Sequence, residues 1–142
     1  MWLMMMRFGL NLKNNMKVNI IEDFLVSFFK IFNASLYEYR IENKKINGNI
    51  RWNDDDQTQE FSWVVELKKP TLKMLNFLCD YLFKNKLING DKIIISQNEL
   101  LNNLIELGWD FNYAKRIVNK LLSIEITMVD EGEETDSFFV HF

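Results

Sequence analysis

Residues 123–142 read SIEITMVDEGEETDSFFVHF. Ile124, Ile126 and Met128 face one way along an alternating run, and Phe138, Val140 and Phe142 alternate back. Successive side chains of a strand point to opposite faces, so two such runs around a polar segment predict a β-hairpin with one buried face. Its tip carries Asp130, Glu131, Glu133, Glu134 and Asp136, five carboxylates with no cation among them. Such a tip is either a solvated turn, a metal loop or a contact surface. A calcium loop needs oxygens at fixed spacing around a glycine with a closing Glu, and DEGEETD does not supply that order. The run Asp54, Asp55 and Asp56 fits a strand end better than a metal site for the same reason. No metal ligands are expected.

Working back from the hairpin, the pattern changes to a helical period. Asp110 is placed to cap a helix whose Ala114, Ile117, Val118, Leu121 and Leu122 keep one face apolar. Ser96 and Glu99 form a capping box before Leu100, Leu101, Leu104 and Ile105, and Gly108 ends that helix. Lys92 to Ile95 is a short β-branched run, enough for one small strand. From Thr71 to Ile88, residues Leu72, Leu75, Leu78, Cys79 and Leu82 share one helical face, with Asn89-Gly90 as a left-handed stop. Pro70 disfavours helix before it and marks a boundary.

Upstream of Pro70 the reading is a helix followed by strands. Ile20, Ile21, Phe24, Leu25, Phe28, Ile31 and Phe32 recur at helical spacing from Val18 to Phe32, and Val26 and Phe29 widen the face. So wide a face predicts burial on two sides, against a sheet and a second helix, or against a second copy in a homodimer. Tyr37, Tyr39 and Ile41 alternate with charged residues, and Phe61, Trp63, Val65 and Leu67 alternate again. With INGNIRW between them these predict a three-stranded antiparallel meander, turned at Asn47-Gly48 or in a longer loop, and then through NDDDQTQ. Its edge is expected to pair with the C-terminal hairpin.

Helix, small strand, helix, tight turn, helix, strand, acidic loop and strand over residues 70–142 resemble a winged helix-turn-helix. The resemblance rests on the order of elements, carried by KIIIS, SQNELLNNLIELGWDFNYAKRIVNKLL and SIEITMVDEGEETDSFFVHF. It implies that the helix of about 111–122 is the recognition element and the hairpin the wing. The exposed stripe would be Asn112, Lys115, Arg116, Asn119 and Lys120; Arg and Asn suit bidentate contacts to guanine and adenine edges. An ordinary solvated helix face is the alternative. A wing that approached phosphate would want Lys or Arg, whereas this one offers the five carboxylates. The expected fold class is α+β: an N-terminal amphipathic helix and three-stranded meander, then a winged-helix-like unit with a C-terminal β-hairpin. Residues 16–69 and 70–142 form its two parts and are expected to share a core, with residues 1–15 as an extension before Met16.

Composition limits function. The chain has 142 residues, 48% hydrophobic and 26% charged, which suits one globular domain. Its net charge is -3, and residues 70–142 hold seven Lys/Arg against eleven Asp/Glu, a balance that disfavours non-specific binding to phosphate. One cysteine excludes a disulfide within the chain, and MWLMMMRFGL is neither a convincing signal peptide nor a membrane span. A cytoplasmic protein is expected. No catalytic motif or cofactor site is legible, and Cys79 and His141 read as a core thiol and a strand histidine. The richness in Asn, Ile, Lys and Phe suits an accessory gene of a mobile element in an AT-rich genome. The first functional expectation is a non-enzymatic regulatory or accessory module that binds another protein, basic in surface to match the acidic tip. A sequence-specific DNA-binding regulator using the 111–122 helix comes second, and a small enzyme without a recognisable motif third.

Overall fold

The computed structural model describes residues 12–142, with side chains from residue 19 onward. Its elements run α1 (Leu12–Lys30), β1 (Ala34–Glu42), β2 (Lys45–Trp52), β3 (Thr58–Val64), α2 (Lys69–Lys84), β4 (Ile88–Asn89), β5 (Lys92–Ile93), α3 (Gln97–Glu106), α4 (Phe111–Leu122), β6 (Ile126–Asp130) and β7 (Glu133–Phe138). The class is α+β. The expected boundary at Met16 falls inside α1, and residues 1–11 of the expected extension lie outside the described residues.

Five strands form one antiparallel sheet in the order β1-β2-β3-β6-β7. Pairing of Glu60, Phe61 and Ser62 with Val129, Met128 and Thr127 joins the meander to the C-terminal hairpin, as the sequence predicts. That hairpin is therefore not a free flap. β6 is paired on both sides, and β7 is the outer edge.

The buried side of the sheet is covered by α1. Phe29 meets Phe61 with ring centroids 4.7 Å apart, Phe24 meets Trp63 at 5.6 Å, and Phe32 meets Phe138 at 5.2 Å. On another side α1 packs against α2, where the buried Ser27 hydroxyl donates to the Asn76 side-chain oxygen. The two-sided burial predicted for the wide face of helix 18–32 is thus met within the chain. Phe24, Leu25, Phe28 and Phe29 are essentially inaccessible, so the residues of the expected homodimer face are spent on the fold. Val26, expected to widen that face, is instead 43% exposed. All five apolar residues read on α2 are buried, and α2 in turn packs on α4. One continuous core takes side chains from both sides of Pro70.

The turns depart from the sequence reading. The β1–β2 turn falls at Asn43-Lys44, with φ of 49° and 62°, rather than at Asn47-Gly48. Two consecutive left-handed residues match the right-handed twist of a two-residue hairpin. Gly48 lies inside β2 opposite Tyr39 and Phe61, because an added Cβ would come within 2.4 Å of the Glu38 carbonyl and 2.7 Å of the Phe61 ring. The alternation of Tyr37, Tyr39 and Ile41 is broken by a bulge between Leu36 and Glu38, which throws Tyr37 outward and leaves it 58% exposed. Likewise α2 stops at Lys84, not at Asn89-Gly90. Lys86, at φ 56°, is left-handed: its N–H goes to the Phe83 carbonyl, and that of Leu87 to Leu82. This closes the helix, and Gly90, at φ 64°, turns the small β4–β5 ribbon together with Asp91, Asn89 being already paired with Lys92.

Candidate interaction surface

The path from α3 to α4 is fixed by backbone chemistry. Gly108, at φ 100°, lets its own N–H reach the Ile105 carbonyl while Trp109 N–H reaches that of Leu104. Asp110 then accepts a hydrogen bond from the Tyr113 N–H at 3.1 Å and starts α4. Ser96 caps α3 in the same way, accepting from the Glu99 N–H at 3.1 Å. With Ala114, Ile117, Val118 and Leu121 buried, the opposite side of α4 presents Asn112, Lys115, Arg116, Asn119 and Lys120, all exposed. The Arg116 guanidinium lies over the Tyr113 ring, 4.9 Å from its centroid.

Beside the start of α4 stands a feature that periodicity did not reveal. Phe77 of α2 meets Trp109 at 5.6 Å, and Trp109 meets Tyr113 at 6.0 Å, so three rings from three parts of the chain form one row ending under Arg116. Phe77, Leu107 and Phe111 around it are each about half exposed, at 45%, 52% and 48%. The signal was present in LGWDF, where three large apolar residues crowd a helix–helix turn that buries none of them fully. Phe77 also lies off the buried face of α2.

The hairpin turns at Glu131-Gly132, with φ of 52° and 82°, and Asp130 pairs with Glu133. Three of the five carboxylates, Asp130, Glu131 and Glu133, therefore surround the tip, while Glu134 and Asp136 lie within edge strand β7; all five are exposed. A bulge between Met128 and Val129 leaves Thr135 as the extra residue. Glu134 and Lys120 line the same depression, about 320 Å³ in volume, together with Lys45, Glu66 and Glu125. Among the described residues, ion pairs join Arg40 to Glu42 and His141 to Asp91, and none involves α4 or the hairpin.

No family model, curated protein or solved structure matches the chain.

Chemistry elsewhere is sparse. Cys79 is fully buried, and burial, followed by the nearby charge of Asp80, pushes its thiol far above the ordinary range. His141 is more than half exposed, its Nε2 lying 3.5 Å from Asp91, so the buried Cys79 and His141 do not share a site. Its backbone ties the C-terminus to the ribbon, Ile93 N–H donating to the His141 carbonyl at 2.7 Å. Asp54, Asp55 and Asp56 sit in the exposed β2–β3 turn, where the Asp55 carboxylate accepts from the Gln57 N–H. Among the described residues no three His, Cys, Asp or Glu side chains converge as metal ligands, and no helix is long and apolar enough to cross a membrane.

Proposed function

We propose that this chain is a non-enzymatic regulatory or accessory module that binds another protein through its winged-helix-like half, residues 70–142. The observation that carries the reading is the row Phe77, Trp109 and Tyr113, open at Phe77 and half-buried at the other two rings, with Arg116 laid over its end. Trp, Tyr and Arg supply most of the energy of protein interfaces, a single such anchor contributing about 2 kcal/mol or more. The rings pack tilted against one another, at interplanar angles of 44° and 47°, rather than standing apart as stacking platforms, which favours a protein partner over single-stranded nucleic acid. The acidic hairpin adds a field that steers basic surfaces toward the chain.

Duplex DNA is the second reading, favoured by the five exposed residues of α4. Its electrostatics are weak. Lys115, Arg116 and Lys120 neutralise three phosphates, a slope of about -2.7 in log affinity against log salt, and the hairpin carboxylates beside them repel the same backbone.

A photo-crosslinking side chain at Phe111, used in the cell that makes the protein, tests the first reading. It is expected to capture a discrete partner, and Trp109→Ala is expected to abolish the adduct. Duplex DNA should give no binding above background at about 50 mM salt, where phosphate contacts are strongest. Specific duplex binding that falls by about 1 to 3 kcal/mol at one base position in Arg116→Ala would replace the first reading with the second.

A further inference from the structure

We infer that a second copy of this chain is the counterpart of the α4–hairpin surface, each copy laying its acidic hairpin on the basic stripe of the other. The surface is self-complementary in the way an isologous dimer requires, since Lys120 of the basic stripe and Glu134 of the acidic hairpin border one depression. The α4 stripe and β7 therefore meet at that point. A two-fold axis through that depression sets Lys115, Arg116 and Lys120 of one copy against the five carboxylates of the other, twice over. The lengths agree as well: twelve residues of α4 span about 18 Å, and six residues of β7 about 20 Å.

Among the described residues these eight charges form no ion pair, although Lys120 and Glu134 line the same depression. A dimer of ordinary size covers about 800 Å² on each copy, roughly a tenth of this chain's 8805 Å². That is within reach of one helix face and one hairpin. The aromatic row stays at the rim and shares only Arg116 with this surface, so Phe77, Trp109 and Phe111 remain open to the partner proposed above.

Sedimentation equilibrium of the full chain tests it. The wild type is expected to dimerise at protein concentrations up to roughly 1 mM and low salt, with Kd rising at least about tenfold as screening shortens the Debye length from about 10 Å to about 3 Å. Glu131, Glu133 and Glu134 changed together to Lys should give a monomer, as should Lys115, Arg116 and Lys120 changed together to Glu. The two variants mixed in equal amounts should form a 1:1 heterodimer, because each reversed patch then meets its opposite. All six positions are exposed, and Trp109→Ala serves as a control that leaves the dimer intact. A wild type that remains monomeric at the highest concentration, or a mixture that does not associate, overturns the inference. Neither result bears on the Phe111 crosslink, which tests the heterologous partner separately.

Discussion

Gly48 sits where β1 and β3 close on β2, and it shows why a residue can be conspicuous in sequence and still be misread. Asn-Gly is a strong turn pair, yet here the glycine answers a close approach: the Glu38 carbonyl and the Phe61 ring occupy the space a side chain would need. Gly48→Ala must therefore push β1 or Phe61 away, and overpacking of this kind costs about 1 to 3 kcal/mol. Urea unfolding should show a lower midpoint with an unchanged slope. Cys79 gives a second residue-level expectation. Its thiol is held neutral first by burial and then by the Asp80 charge, so the folded protein should resist iodoacetamide at a pH where the urea-unfolded chain reacts fully. The linkage follows in sign. The unfolded thiol ionises near its ordinary value of 9.0 while the folded one stays protonated, so this group leaves stability unchanged below that pH and lowers it as pH rises above. Unfolding free energy measured from pH 8 to about 10.5 should fall in the wild type and fall less in Cys79→Ala.

The ends of elements, more than their middles, separate the sequence reading from the structure. The α2 face of Leu72, Leu75, Leu78, Cys79 and Leu82 was legible because a 3.6-residue period needs only polarity to be seen. Its end was not, since Lys86 takes the left-handed conformation that a sequence reading assigns to Gly90. A lysine there is strained by about 1 kcal/mol or more, partly offset in a glycine variant by the greater freedom of the unfolded chain. Lys86→Gly is thus expected to stabilise by about 0.5 to 1 kcal/mol, read as a higher thermal midpoint. Asp110→Ala should do the reverse, losing about 1 kcal/mol with the cap on Tyr113 N–H. The bulges at Tyr37 and Thr135 were invisible for another reason: one inserted residue shifts the phase of a strand without changing its composition. Both bulges lie on edge strands, where extra twist and charge discourage edge-to-edge pairing with other sheets. The candidate surface divides along the same line. The α4 stripe was legible from one helix, whereas the Phe77, Trp109 and Tyr113 row joins residues up to 36 positions apart and exists only in the folded chain.

At the scale of the molecule, Pro70 divides the sequence but not the core. Trp63 packs under α1 on the meander side, and Trp109 lies at the α3–α4 corner on the other. Between them, β3 pairs with β6, Phe32 packs on Phe138, and Ser27 bonds to Asn76, so each half completes its burial only against the other. If residues 70–142 separated from the meander, Met128 would lose its partner Phe61 on β3, and Phe138 would lose Phe32. Hydrophobic burial contributes about 25 cal/mol per Å² of apolar surface, so exposing several such side chains costs more than the few kcal/mol that hold a half of this size. A single cooperative transition follows. Two variants that each keep one fluorophore, Trp63 or Trp109, with the remaining tryptophans changed to Phe, report the two halves separately. Their urea midpoints, each corrected against far-UV circular dichroism of the same variant, should coincide with that signal. A Trp109 transition that persists after the Trp63 transition is complete would mean that the helical half holds a core of its own, and Pro70 would then mark a true domain boundary.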